Sequence, residues 1–122
     1  MTNGDTPGGG GAGAGEPWRA EMRRIYADTL TAKLATLEAL VAAMAAAPDA
    51  PAERERLYDA VHKIRGSAGA YGFGALSAVA AEWEEALGGG ADVTRVRELL
   101  SRLAAVTRAA LAEDQEDRGP RG

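Results

Sequence analysis

The residues best suited to chemistry lie together in Val61-His62-Lys63-Ile64-Arg65-Gly66-Ser67-Ala68-Gly69, near the middle of the chain. His62 is the only histidine among 122 residues. A neutral imidazole can act as a nucleophile or a base near pH 7. On a helix, residues step about 100° around the axis, so His62, Arg65, Gly66 and Gly69 share one narrow stripe. Leu57, Val61, Ile64 and Ala68 form a second, apolar stripe well round from the first. Glycine in a helix interior costs roughly 1 kcal/mol relative to alanine. Two glycines a turn apart beside a histidine suggest that something large approaches the backbone there. The spacing alone leaves two readings open: a reactive imidazole on display, or a polar surface residue beside a fraying helix end.

The elements that must position this stretch are all helical in pattern. Residues 1–16 are Gly-rich and nearly free of large apolar groups, so they read as a flexible tail. Gly8, Gly10 and Gly13 fit GxGxxG, but no strand precedes them and no Lys-Ser/Thr follows, so the match has almost no weight as a phosphate loop. Pro17 suits the first position of a short helix with Trp18, Met22, Ile25 and Tyr26 on one side. The phase slips at Asp28-Thr29, either of which could cap a new helix. Leu30, Leu34, Leu37, Val41 and Met44 then follow at alternating spacings of four and three. Pro48 and Pro51 punctuate the next connection, and Pro51 can open the helix that bears His62. That helix should end near Ala70-Tyr71, because Gly72 and Gly74 bracket Phe73 in a turn. Leu76, Val79, Ala80, Trp83 and Leu87 mark a fourth helix, stopped by Gly88-Gly89-Gly90. Asp92 is a good N-cap for a fifth bearing Val96, Leu99, Leu100, Leu103, Val106 and Leu111. Beyond Ala112 the chain reads as a polar tail, residues 113–122.

Consecutive amphipathic helices with short connections imply antiparallel neighbours. The fold class expected over residues 17–112 is all-α, an antiparallel up-down-up-down four-helix bundle with a short extra N-terminal helix laid across one end. Positions equidistant from a hairpin turn lie level with each other. His62 is eleven residues before Phe73 and Glu84 eleven after it, so Glu84 should stand beside His62 on the neighbouring helix. The plainer reading makes Glu84 one of three surface carboxylates, with Glu82 and Glu85.

Composition removes other classes. The net charge of −4 and pI near 5.0 provide no basic footprint for nucleic acid. There is no cysteine, which excludes a disulfide framework and thiolate metal sites, and one histidine excludes a multi-histidine centre. No apolar run is evident at the length of a membrane span, and the N-terminus lacks a secretory pattern, so the expected location is the cytoplasm. Charged outer faces predict a monomer.

His62 through Leu76, HKIRGSAGAYGFGAL, resembles the active-site stretch of histidine phosphotransfer (HPt) domains, including the phosphotransfer domains of chemotaxis kinases. The shared pattern is a His, a cation three residues on, an adjoining Gly, a small-residue run and an aromatic-Gly turn. The likeness extends more weakly over roughly residues 18–112. One departure is Arg65, where Lys is commoner. The resemblance implies a phosphocarrier of a two-component phosphorelay. His62 would take a phosphoryl group from a sensor kinase or a receiver Asp and pass it to a response-regulator receiver Asp. Related domains have Glu or Gln bonded to the histidine at the position of Glu84. Glu84 accepting Nδ1–H would leave Nε2 free, and Arg65 would balance charge on the phosphoryl oxygens, with Lys63 as a weaker candidate. Gly66 and Gly69 would leave room for the partner, and Ala80 and Ala81 would line its docking surface. No cofactor or metal is expected on this chain; Mg²⁺ would belong to the partner. No nucleotide-binding motif is present, so the chain should not act as an enzyme with its own ATP site. An HPt-like adaptor that binds a receiver or kinase domain without phosphate, a structural bundle with an incidental histidine, and a module of a larger kinase are the competing readings.

Overall fold

The computed structural model describes the backbone of residues 8–118 and the side chains of residues 18–116. Among these residues there is no strand. The helices are α1 (Gly8–Ala27), α2 (Leu30–Ala46), α3 (Pro51–Ala70), α4 (Gly74–Gly88) and α5 (Val93–Arg118). α2 packs against α3 and α5, and α4 packs against the same two, so four helices close a ring around one core. Leu37, Leu57, Val61, Trp83, Val96 and Leu99 have no exposed surface. Full burial of each such side chain contributes about 1.5–3 kcal/mol. Thr107 joins the core, its hydroxyl donating to the Leu103 carbonyl at 2.8 Å, which removes the cost of burying it. The indole Nε1–H of Trp83 is buried without a hydrogen-bond partner.

The helix ends follow the expected chemistry in most places. Pro51 is the first residue of α3, and Ala50 before it is extended, as a residue preceding proline must be. Gly72 takes φ +86° after α3. Phe73 N–H donates to the Ala68 carbonyl at 2.8 Å, and Gly72 N–H to that of Gly69 at 3.2 Å. This is a Schellman turn, which needs a left-handed residue. Gly90, at φ +83°, builds the same turn after α4, with Ala91 N–H on the Ala86 carbonyl at 2.9 Å. Asp92 caps α5, its Oδ1 accepting the Arg95 N–H at 3.0 Å. Thr29 does not cap α2: its hydroxyl turns back to the Tyr26 carbonyl at 2.6 Å, satisfying an end of α1 instead.

Two boundaries lie beyond the expected ones. α1 begins at Gly8 rather than Pro17, inside the segment read as a tail, whose residues 1–7 lie outside the described residues. α5 runs on to Arg118, past Ala112. No Gly or Pro interrupts residues 93–118, so nothing stops the helix where its apolar stripe ends. Among the described side chains of α1, those at its C-terminal end are the well-packed ones. Tyr26 is buried, stacks on Tyr71 (centroids 5.0 Å apart, planes at 15°) and meets the Ser67 hydroxyl at 2.7 Å. Arg23 lies 4.5 Å over Phe73. Trp18 and Ile25, expected on the same side as Tyr26, are 64% and 49% exposed.

One stretch is more apolar than the sequence reading allowed. Trp18–Ala46 contains an 18-residue window of mean hydropathy 1.4, long and apolar enough to cross a membrane by length and composition. Alanine supplies much of that value, and scattered charges hide the run from the eye. Leu30, Leu37, Val41 and Met44 of α2 are buried in the core.

The pairing of α3 with α4 positions the site. Partner numbers fall on α4 as they rise on α3: Arg54 reaches the Leu87 carbonyl, His62 meets Glu84, and Arg65 carbonyl accepts from Ser77.

Candidate functional site

His62 and Arg65 lie one turn apart on the outer face of α3, and Glu84 faces them from α4. Each oxygen of Glu84 has its own donor. Oε2 pairs with His62 Nδ1, and Oε1 accepts from Arg65 Nη1. The side chains differ sharply in exposure: 62% for His62, 48% for Arg65 and 9% for Glu84. A nearly buried carboxylate is therefore covered by two groups that remain open to solvent.

The hydrogen bond from His62 is the largest influence on the Glu84 pKa and lowers it; desolvation opposes this, and the bond and charge of Arg65 lower it further. The net shift is downward from 4.5, so Glu84 is ionised at neutral pH. A carboxylate has no proton to give. The shared hydrogen therefore belongs to Nδ1, and a neutral ring has its lone pair on Nε2. An exposed nitrogen nucleophile backed by a fixed negative charge can accept an electrophilic group while the carboxylate offsets positive charge on the ring.

The neighbouring contacts hold α4 in register. Ser77 Oγ donates to the Arg65 carbonyl at 2.8 Å. A Cβ added at Gly69 would lie 3.3 Å from the same Oγ, so this exposed glycine gives room to Ser77 of α4. A Cβ added at Gly66 would meet nothing within 4 Å, which leaves that position open to approach. At the other end Arg54 donates to the Ala91 carbonyl at 2.8 Å and fastens the end of α4.

The remaining expected residues divide. Ala81 lines an open groove with Tyr58, His62, Arg65, Glu84 and Gly88. Ala80 has no exposed surface and belongs to the core, so it cannot form part of a docking face. Its place in the apolar stripe of α4 already required this. Lys63 lines a different groove, between α2 and α3, with Lys33, Leu37 and Leu40. Adjacent helix residues diverge by about 100°, and that step carries Lys63 away from His62. Tyr58 was not anticipated. Its ring lies parallel to that of His62, at 5° and 6.3 Å between centroids. The signal was available, because Tyr58 precedes His62 by one helical turn.

Among the described residues, no group of three or more His, Cys, Asp or Glu could hold a metal ion. No curated protein and no solved structure matches the chain. A family model described as Hpt domain matches residues 21–116, most of the chain and all of the site just described, and the protein belongs to the Hpt domain family.

Proposed function

We propose that the protein carries a phosphoryl group on Nε2 of His62 between a sensor kinase or receiver Asp and the Asp of a response-regulator receiver. Hpt domains take part in phosphorelay signalling as phosphocarriers rather than enzymes, and they interact with kinase and receiver domains. The observation that carries the assignment to His62 is the exposed imidazole whose Nδ1 is held by a buried carboxylate.

In the forward step, the Nε2 lone pair attacks phosphorus of an aspartyl phosphate, or the γ-phosphorus of ATP held by a kinase domain. The N–P bond forms as the P–O bond breaks, and the electron pair leaves on the aspartate carboxylate or on ADP. The proton stays on Nδ1, so the ring becomes cationic against Glu84. In the return step, a receiver carboxylate attacks phosphorus and the N–P electron pair goes back to Nε2. Arg65 uses one donor on Glu84 and retains others for phosphoryl oxygens. Positioning and charge are the main demands of such a transfer. Any Mg²⁺ is assigned to the partner.

Gly66 and Ala81 are the small residues proposed to face the incoming domain. The bundle is inferred to run up-down-up-down, with α2–α5 antiparallel and α1 an extra helix at one end. The falling partner numbers along α3 and α4 and the short connections support this. The same reading takes the protein as a monomer in the cytoplasm.

The test is labelling by a panel of kinases and phosphorylated receivers, comparing wild type with His62→Gln. Acid-labile, base-stable label on wild type alone is expected, with equal helicity in the two proteins. Unchanged labelling of His62→Gln overturns the assignment.

A further inference from the structure

We propose that Tyr58 is a positioning residue for His62, locking the plane of the imidazole that Glu84 alone can only tether. The inference rests on the phosphocarrier reading for its kinetic consequence but not for its geometry.

A single hydrogen bond at Nδ1 fixes one atom of the ring. It leaves the imidazole free to swing about the line from Nδ1 to Glu84 Oε2, and Nε2 sweeps an arc as it does so. A flat group against one face of the ring removes that freedom. Tyr58 is placed to do this. It is one turn before His62 on α3, on the same face, and its ring is parallel to the imidazole within 5°. The 6.3 Å centroid separation is in the range of an offset stack.

Tyr58 is itself backed by the scaffold. Its Cε2 lies 4.0 Å from where a Cβ at Gly88 would be, so the phenol ring rests beside bare backbone at the end of α4. Arg54, one turn further back on α3, donates to the Leu87 and Ala91 carbonyls on either side of that glycine and holds this end of α4 in place. The imidazole is thus bounded by Glu84 at one nitrogen and by Tyr58 along one side, with Arg65 a turn ahead. The ring rather than the hydroxyl does this, so phenylalanine should replace tyrosine.

Tyr58 is 36% exposed and outside the core, so substitution there leaves the bundle intact. The experiment compares wild type, Tyr58→Phe and Tyr58→Leu by two measurements. NMR relaxation and χ2-dependent couplings of the His62 ring read its orientational freedom. Wild type and Tyr58→Phe are expected to hold the ring in one orientation and Tyr58→Leu to average over several, with the Nδ1–H tautomer kept by Glu84 in all three. Phosphorylation by excess phosphoramidate, which needs no partner protein, reads the rate. Tyr58→Leu is expected to slow by roughly two- to tenfold, the span of an aromatic pair's contribution, with Tyr58→Phe near wild type. Unchanged ring mobility or an unchanged rate in Tyr58→Leu overturns the proposal. If wild type takes no phosphoryl group on His62, the phosphocarrier reading fails, and the ring-mobility comparison alone decides the role of Tyr58.

Discussion

Glu84 serves two donors with one carboxylate, and its near-burial decides what substitution there will do. Glu84→Gln retains a carbonyl that can accept Nδ1–H but loses the negative charge that offsets a cationic ring and pairs with Arg65. Glu84→Ala removes both. Phosphoramidate labelling of His62 is expected to slow several-fold in the first and by about 10²-fold in the second, the scale of losing one preorganised electrostatic partner. Equal rates in both variants and wild type would remove Glu84 from the mechanism. This pair was legible in the sequence because a hairpin about a Gly-marked turn converts residue counting into spatial level. Arg65 was legible as a cation beside His62. Its bond to Glu84 was not, because counting residues gives the level of a side chain and not the direction of its tip. Ala80 shows the opposite failure: its small size suggested clearance, while its place in the stripe of Leu76, Val79 and Trp83 consigned it to the core.

Three of the glycines in the hairpin of α3 and α4, Gly66, Gly69 and Gly72, have different duties, and each predicts a different response to alanine. Gly72 is left-handed at φ +86°, where a Cβ costs roughly 1–2 kcal/mol, so Gly72→Ala should lower stability by about that amount. Gly69 faces Ser77 Oγ, and its alanine must displace a side chain whose hydroxyl ties α4 to the Arg65 carbonyl. Gly66 faces open space inside a helix, so Gly66→Ala should raise stability by about 0.5–1 kcal/mol. It should also slow transfer from a phosphorylated receiver while leaving phosphoramidate labelling unchanged, because only the larger donor meets the added methyl. Urea unfolding and the two labelling rates check the series; a Gly66→Ala variant that is less stable than wild type contradicts it. Both Schellman turns were visible as glycine after an apolar stripe. The reach of α1 and α5 was not, since stripe and helix need not end together, and nothing in residues 113–118 breaks a helix.

At the scale of the molecule, stability depends on pH through Glu84 together with Glu82 on the acid side and through Tyr26 on the alkaline side. Glu84 has its pKa lowered, chiefly by His62. Below about 4.5, the unfolded chain takes up a proton at this position that the folded chain still refuses. Stability then falls as pH falls, and continues to fall until the folded carboxylate also protonates. Tyr26 has its pKa raised, chiefly by desolvation, with Ser67 opposing and Tyr71 adding to the rise. Above about 10.0, the unfolded chain releases a proton that the folded chain keeps, so stability falls as pH rises. The sequence showed Tyr26 only as one apolar residue of four in the first helix. Its role depends on the turn at Gly72, which brings Tyr71 and Phe73 against it. Tyr26→Phe retains that packing and loses the hydroxyl bond to Ser67, at a cost of about 1 kcal/mol near neutral pH. Its alkaline limb should then be flatter than that of wild type, with the acid limb unchanged. Glu84→Gln should flatten the acid limb and leave the alkaline one. Urea unfolding of the three proteins from pH 3 to pH 11 separates the effects, because each substitution is expected to act on one limb only. A Tyr26→Phe variant with the full alkaline slope would show that the proton retained at high pH belongs to another group.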